Sequence, residues 1–370
     1  MPKPPVLLLG PALGAVSGVT THLNQLFASD LRDGFELHHF QVGSEGRRES
    51  RTGQAIRYLL SPVEFIYRLM VLRPRIVHIN TSMEPKSFWR DVVYLLIARA
   101  MFRKVVYQIH GGAFPLDFFP NNWFLRRFLR WVLGLPSVVV LLASAELRAY
   151  GAFAPAAHLV VVPNAIDVAS PSGPKSPPTA HNPLHLAYIG RMAREKGIFE
   201  VVAAVRLLLD EGARVVLSFA GSGRDEAELR ADVRAARLDD VVKFHGPLFG
   251  EQKERLWQAA HVFAFPTYHQ EGLPYALLEA MAAGAVPVIS PVAAIPDVMQ
   301  DGVHGIFVRS RDPAAVARAV ARLLGDEAER IRMSDACRQR IVDNYRVERL
   351  ASDFRAIYTL LDRGRPDLSG

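Results

Sequence analysis

The amino-acid sequence predicts an α/β protein made of two doubly wound, parallel-sheet domains. The first observation is length, because 370 residues exceed one ordinary domain and suit two domains of roughly 150–200 residues each. The second is that short apolar runs alternate with amphipathic helical stretches along the whole chain. The third is that most of these runs are apolar on both faces, which is typical of parallel strands covered by helices on both sides.

Twelve runs of strand length divide equally between the two halves of the chain. In the first half they cover residues 6–10, 35–42, 75–80, 104–110, 137–142 and 159–162. In the second half they cover residues 184–190, 214–220, 241–245, 262–265, 286–290 and 305–308. The exception to apolar character on both faces is 35–42, whose alternation of apolar and polar residues predicts an edge strand.

A stretch rich in proline, serine and glycine, from Ser170 to Pro178, separates the two halves. Neither a helix nor a strand tolerates this composition, so it predicts an interdomain linker. We therefore expect an N-terminal domain over residues 1–170, a linker over 171–183 and a C-terminal domain over 184–345. The final helical stretch, about residues 346–363, is expected to pack back on the N-terminal domain.

Composition indicates a folded protein, since half of the residues are apolar and 22% are charged. No apolar run approaches the roughly 20 residues that span a bilayer, and no signal-peptide pattern precedes the first predicted strand. A cytoplasmic protein is therefore expected, either free or peripheral at the inner face of the membrane. The single cysteine, Cys337, excludes an internal disulfide and a cysteine-rich zinc site.

The net charge of +7 lies entirely in the first half. Residues 1–170 hold 18 Lys and Arg against 11 Asp and Glu, whereas residues 171–370 hold 26 of each. An anionic surface or acceptor is therefore expected to meet the N-terminal domain. The basic residues form no long run and no recognisable nucleic-acid module, so nucleic acid is not an expected partner.

The segment from Glu271 to Glu279 is the strongest chemical signal. It follows the predicted strand 262–265, and Pro274 suits the first turn of a helix that ends near Gly284. Free backbone N–H groups at that helix start can bind sugar or phosphate oxygens, and each carboxylate can accept from paired hydroxyls. The alternative is that Glu271 is a capping acid and Glu279 a solvated helix residue. The apolar neighbours of Glu279 favour its burial, which requires a partner.

A second signal is the loop from Gly190 to Gly197, which follows the predicted strand 184–190. It joins glycines at a strand end to Arg191 and Lys196. Cations in such a loop can hold a diphosphate and neutralise a leaving phosphate without a metal. A basic surface turn is the alternative interpretation of this segment.

Together these segments resemble the family 4 retaining glycosyltransferases, the glycosyl transferases group 1, which have the GT-B fold. Glu271 and Glu279 match the family's E-x7-E motif, while Arg191 and Lys196 match its diphosphate-binding pair. The resemblance implies two Rossmann-like domains that face each other across a cleft. The acceptor would bind the N-terminal domain and the nucleotide-sugar donor the C-terminal domain.

The resemblance also implies residue roles. Glu279 would bind the ribose hydroxyls, Glu271 and the amides after it the donor sugar, and His110 would lie beside that sugar. The implied catalytic residues are Glu271, Lys196, Arg191 and His110. The implied donor-binding residues are Gly18, Gly190, Arg191, Lys196, Gly221, Gly246, Pro247, Leu248, Glu271, Gly272, Leu273, Pro274 and Glu279. A histidine at a strand end and a lone glycine loop are also ordinary structural features.

The implied reaction moves a sugar from a UDP- or GDP-sugar to a glycan or lipid-linked acceptor, with retention of configuration. The sequence contains no Asp-x-Asp motif of the metal-dependent transferases, so neither a metal nor another cofactor is expected. A sugar-nucleotide epimerase of the same architecture and a non-catalytic nucleotide-sugar-binding protein remain alternatives. A nicotinamide-dependent dehydrogenase is disfavoured, because no Gly-x-Gly-x-x-Gly follows the first strand.

The segment from Asn121 to Leu133 carries aromatic residues and leucines at helical spacing among Arg126, Arg127 and Arg130. Such a helix can lie on an anionic membrane surface. It can equally pack its apolar face on the sheet and keep its arginines in water. A lipid-linked acceptor would fit the first interpretation and the excess charge of the N-terminal half.

Overall fold

The computed structural model of the chain describes residues 3–46, 49–168, 178 and 183–363. Within these residues the fold is α/β with two six-stranded parallel sheets, as the sequence predicts. The chain divides into two compact units, one formed by Met1–Asp167 with Arg346–Gly370 and the other by Val168–Tyr345. The predicted linker lies outside the described residues except for Pro178 and Pro183.

In its described residues before the C-terminal segment, the first unit contains six strands and seven helices. The strands are β1 (Pro5–Gly10), β2 (Glu36–Gln41), β3 (Ile76–Met83), β4 (Lys104–Gly112), β5 (Val138–Leu141) and β6 (Leu159–Val161). The helices are α1 (Gly18–Ala28), α2 (Leu31–Gly34), α3 (Arg51–Leu72), α4 (Pro85–Ala100), α5 (Pro115–Phe118), α6 (Trp123–Leu133) and α7 (Ser144–Phe153). The strand order is β2-β1-β3-β4-β5-β6, which puts the alternating strand β2 at the edge, as predicted.

The second unit has the same architecture. Its strands are β7 (Leu184–Ile189), β8 (Val215–Ala220), β9 (Val242–Phe244), β10 (Val262–Phe265), β11 (Val286–Ile289) and β12 (Ile306–Phe307). Its helices are α8 (Ile198–Asp210), α9 (Glu226–Ala235), α10 (Gly250–Ala259), α11 (Tyr275–Ala282), α12 (Ile295–Val298), α13 (Pro313–Gly325) and α14 (Glu327–Asn344). The strand order is β12-β11-β10-β7-β8-β9, so the chain reverses direction across the sheet between β7 and β10.

The last helix of the described chain, α15 (Val347–Asp362), packs on the sheet of the first unit. Its buried residues Leu350, Phe354 and Tyr358 recur every fourth residue and so lie on one helix face. They share an apolar core with Val6 and Leu8 of β1, and α1 and α2 cover the same face of the sheet. Helices α3, α4, α6 and α7 cover the opposite face.

No helix in the described part of the chain is both long and apolar enough to cross a membrane.

Candidate active site

The predicted site of the second unit lies where the strand order reverses. Strands β7 and β10 are neighbours in the sheet. From β7 the chain continues through α8 to β8 on one side, and from β10 it continues through α11 to β11 on the other side. Ligands of doubly wound sheets bind at such a switch point, outside the carboxyl ends of the strands. The loop after β7 carries Arg191 and Lys196, and the loop after β10 carries Thr267 and Glu271.

Gly197 fixes the end of the loop after β7. Its φ of +78° lies in the left-handed region, and a Cβ built there would lie 2.5 Å from the carbonyl oxygen of Pro266. Only glycine allows this approach, which presses the loop after β7 against the loop after β10. Residues 194–196 form a single 3-10 turn just before it, so the backbone that carries Lys196 has little freedom.

We expect Gly197→Ala to lower the free energy of unfolding of the second unit by about 3 kcal/mol or more, because it combines backbone strain with a clash. Gly212→Ala is a matched control, since Gly212 has a φ of +80° but nothing within 4 Å of an added Cβ. Its expected cost is about 1 kcal/mol, from strain alone. Thermal and urea unfolding measure both variants. Equal losses would mean that the approach to Pro266 carries no energetic weight.

Lys196 and Glu271 form an ion pair. The Lys196 Nζ lies 2.5 Å from Glu271 Oε1, and the two side chains are 13% and 10% exposed. The hydroxyl of Thr267 lies 3.0 Å from the same carboxylate oxygen and 3.1 Å from the carbonyl oxygen of Glu195. The structure therefore brings together the predicted phosphate-binding cation and the predicted sugar-binding acid. The role of Thr267, which the sequence did not indicate, is to link the two loops.

Arg191 is exposed at the start of the same loop, while its carbonyl oxygen accepts a hydrogen bond from the Tyr188 hydroxyl at 2.8 Å. Tyr188 is fully buried, and its ring lies against Phe219 and Phe265. The backbone of Arg191 is thus anchored to the core while its guanidinium remains accessible.

The glycine loops after β7, β8 and β9 pack closely together. Gly221 N donates to Gly246 O at 2.8 Å, and a Cβ added to Gly221 would lie 2.0 Å from Gly190 O. The absence of side chains at these glycines lets three strand ends converge. Of the residues that follow, Pro247 is exposed and Leu248 is half-buried. The predicted residues Gly190, Gly221 and Gly246 therefore share one edge of this sheet.

Glu279 occupies α11 and has two partners on α10. Lys253 Nζ lies 2.6 Å from Glu279 Oε1, and Trp257 Nε1 donates to Oε2 at 3.2 Å. Lys253 and Trp257 are four residues apart and so lie on one face of α10. Glu279 is 18% exposed as a side chain, which agrees with the partial burial that its apolar neighbours predict. The spacing of Lys253 and Trp257 was visible in the sequence, but nothing there assigned Glu279 as their partner.

The start of α11 differs slightly from the prediction. Pro274 occupies the N-cap with a ψ of 124°, and the first helical residue is Tyr275. Glu271 is therefore in the loop and does not cap the helix, since its carboxylate faces Lys196 and Thr267. Gly272 is half-buried and Leu273 is buried in the same loop.

The two remaining predicted residues, Gly18 and His110, belong to the first unit. Gly18 begins α1, where the side chain of Ser17 caps the helix by accepting from Thr20 N at 3.2 Å. His110 Nε2 lies 2.8 Å from Asn80 Oδ1. Asn80 donates through Nδ2 to Leu9 O, so its Oδ1 is an acceptor and His110 Nε2 carries the proton.

His110 is held in its neutral form. Burial lowers its pKa to about 3, and nearby His78 adds to the shift. The His22 ring lies 4.9 Å from that of His110, and burial lowers the pKa of His22 well below its usual value. A neutral ring with Nε2 protonated leaves Nδ1 as a hydrogen-bond acceptor. His110 can therefore accept from a hydroxyl but adds no positive charge.

The family comparison identifies the second unit. The family described as glycosyl transferases group 1 matches residues 183–326. The chain carries a domain of the glycosyl transferases group 1 family. All four residues of the two predicted motifs, Arg191, Lys196, Glu271 and Glu279, lie inside this group 1 domain.

Curated relatives match about half of this chain. Glycogen synthase of Mycobacterium tuberculosis (strain ATCC 25618 / H37Rv) is 30% identical over 209 residues, which are 56% of this chain and 50% of that protein. The amylovoran biosynthesis glycosyltransferase AmsK of Erwinia amylovora is 30% identical over 166 residues, 44% of this chain and 41% of that protein. The matches to these relatives thus span half of their length or less.

The fold agrees with that of solved structures over nearly the whole chain. Anabaena Alr3699/HepE in complex with UDP-glucose superposes with a TM-score of 0.71 at 16% identity, covering 96% of this chain and 99% of that one. This likeness establishes a GT-B-like fold for the chain. The described residues contain no group of three or more His, Cys, Asp or Glu side chains arranged to hold a metal ion.

Proposed function

We propose that this chain is a retaining, metal-independent glycosyltransferase that moves a sugar from a nucleotide-diphosphate sugar to an acceptor. The observation that carries the proposal is the cluster of Lys196, Thr267 and Glu271 at the switch point of the group 1 domain. The cluster combines a cation and an acid on two neighbouring loops. The strands beside it are followed by the glycines Gly190, Gly221 and Gly246, which have no side chains to obstruct a ligand. A nucleotide-diphosphate sugar needs a cation for its phosphates and a carboxylate for its sugar hydroxyls.

Lys196 binds the diphosphate in this proposal. An ammonium group has three N–H donors, so Lys196 can keep its bond to Glu271 and still donate to phosphate oxygens. Arg191, exposed at the start of the same loop, adds a planar fork for a second phosphate oxygen. These two charges stabilise the negative charge that develops on the leaving nucleoside diphosphate.

Glu279 binds the ribose, and Glu271 with the backbone of Gly272 and Leu273 binds the donor sugar. Lys253 and Trp257 each engage one oxygen of the Glu279 carboxylate and so fix its orientation. Each oxygen keeps a second lone pair, so the carboxylate can still accept from two adjacent hydroxyls. Gly221, Gly246, Pro247 and Leu248 surround the base. Gly18 and His110 of the first unit stay predicted donor-binding residues, on the family resemblance alone.

In the reaction, the bond between the anomeric carbon and the diphosphate oxygen breaks and the acceptor oxygen bonds to the same face of that carbon. The acceptor proton passes to an oxygen of the departing diphosphate, so no enzyme nucleophile is required. The protein contributes position and charge, which together provide most of the rate. The acidity of a bound metal is not needed in this scheme.

A UDP-sugar donor and a glycan or lipid-linked acceptor are the substrates we propose. Two of the similar proteins support this choice, since one acts in amylovoran biosynthesis and the structure of another holds UDP-glucose. A GDP-sugar is the second candidate donor. A cytoplasmic location, at least partly at the inner face of the membrane, would supply both substrates.

Product analysis tests this function against its alternatives. With UDP-glucose and EDTA present, a transferase releases UDP in proportion to the glycosylated acceptor, and release stops without acceptor. An epimerase of the same architecture would convert the sugar nucleotide without acceptor. A binding protein would give neither product. Either of these last results would overturn the proposal.

A further inference from the structure

Helix α3 exposes a continuous apolar face to solvent. Its buried residues Phe65 and Leu69 pack in the core of the first unit. The opposite face carries seven large apolar side chains that are 53–77% exposed: Ile56, Leu59, Leu60, Val63, Tyr67, Met70 and Val71. They recur at spacings of three and four residues, so they form one stripe along the helix. An exposed apolar stripe of this length on a packed helix marks an interaction surface.

The stripe continues onto two further helices of the same layer. Helix α4 packs beside α3 and exposes Trp89, Val93 and Leu96. Trp89 stacks on Phe128 of α6, with ring centroids 5.5 Å apart. Helix α6 packs Leu129, Val132 and Leu133 inward but exposes Trp123, Phe124 and Trp131. Helix α6 therefore packs one apolar face inward, as the packing interpretation of the segment from Asn121 to Leu133 predicts, and leaves three aromatic side chains exposed. We call the outer surface of α3, α4 and α6 the apolar layer.

Most of the exposed large apolar side chains of the described residues lie in the apolar layer. Among the described residues, 22 large apolar side chains are exposed, and 13 of them lie on these three helices. The second unit, of similar size, exposes only four: Leu207, Phe249, Val303 and Ile331. Scattered exposure of this kind is normal for a protein surface, but 13 residues on one layer are not.

Positive charge surrounds the apolar layer. The sequence from Glu49 to Leu135 contains 13 Lys and Arg against 5 Asp and Glu, a net charge of +8 that exceeds the +7 of the whole chain. Exposed members of this set include Arg68, Arg73, Lys86, Arg99 and Arg127. The partner of this surface must therefore be apolar in its interior and anionic at its boundary.

We propose that the apolar layer docks on an anionic lipid bilayer. Apolar and aromatic side chains enter the boundary between headgroups and acyl chains, and the flanking Lys and Arg contact lipid phosphates. Three exposed tryptophans and Tyr67 have the amphipathic rings that favour this depth. A second copy of the chain fits less well, because a twofold contact would place two positively charged surfaces against each other. This inference does not depend on the donor site.

Vesicle flotation of the full chain tests the docking surface. We expect the chain to float with vesicles of phosphatidylcholine containing about one third phosphatidylglycerol, and much less with phosphatidylcholine alone. Leu59→Glu combined with Val63→Glu should weaken binding to the anionic vesicles about tenfold or more. Both residues are more than 60% exposed, so the fold should tolerate the change. Raised salt should also weaken binding.

The matched control is Leu207→Glu with Ile331→Glu, which changes two exposed apolar residues of the second unit. It should bind vesicles like the wild type. Failure of the folded wild type to bind anionic vesicles would overturn the proposal, as would equal weakening by both double variants. A dimer that forms without lipid and is abolished only by the α3 variant would also overturn it, by assigning the surface to a second copy.

Discussion

Lys196→Met is expected to lower the turnover number of the proposed transferase by about 100-fold or more, because it removes the largely buried cation that we propose stabilises the leaving diphosphate. The 3-10 turn and the ion pair with Glu271 fix the position of this charge at the end of the loop after β7. Steady-state kinetics with a saturating sugar-nucleotide donor measure the loss. Lys243→Met is the matched control, since Lys243 is an exposed lysine of the same unit that bonds to Asp239 O. Its turnover should equal that of the wild type.

The same change leaves Glu271 without its ammonium partner. An unpaired, largely buried carboxylate destabilises a fold by roughly 3–5 kcal/mol, so reduced activity alone would not separate catalysis from unfolding. Adding Glu271→Gln to Lys196→Met removes the unpaired charge and should restore most of the melting temperature. Turnover should remain low in this double variant. Recovery of activity together with stability would show that Lys196 is only a structural residue.

Lys253→Met is expected to weaken donor binding about tenfold, through loss of the group that orients Glu279. Lys253 lies 2.6 Å from Glu279. In the proposed site it acts on the ribose only through that carboxylate, which makes it a positioning residue. Because the ribose is remote from the bond that breaks, the KM for the donor should rise more than kcat falls. Preference for a ribonucleotide over its 2′-deoxy analogue should fall as well, which a purely structural change would not produce.

Two further variants sharpen this second prediction. Arg255→Met is the matched control on the same helix, since Arg255 is 68% exposed and its contact to Glu251 is 3.7 Å long. It should leave donor binding unchanged. Glu279→Gln should weaken binding, and adding Lys253→Met to it should cause little further loss because the two residues act as a unit. Full additivity would contradict the positioning role.

The sequence predicts the sheets well because most of their strands are buried on both faces. Each of the twelve apolar runs becomes a strand within three residues of its predicted bounds. The edge position of β2 also follows from local pattern, since its alternation of apolar and polar residues needs no tertiary information. The start of α11 is less precise, because Pro274 is suited to both the N-cap and the first turn.

The partners of the predicted site residues could not be read from the sequence. Lys196 and Glu271 are 75 residues apart, and only the adjacency of β7 and β10 brings them together. The contact of Lys253 and Trp257 with Glu279 depends likewise on the packing of α10 against α11. The exposure of helix α3 could not be predicted from the sequence either. Its apolar residues lie on two opposite faces, which is typical of a fully buried helix. Sequence alone does not show that only one face is covered.

Nucleotide binding in EDTA tests the central claim most directly. Isothermal titration of the chain with UDP, GDP, ADP and NAD should show one nucleoside diphosphate binding at a single site, and Lys196→Met and Glu279→Gln should each weaken it. Such a result would establish the donor site in the group 1 domain and identify its base. Binding of NAD alone, or diphosphate binding that neither substitution changes, would contradict the proposed transferase site.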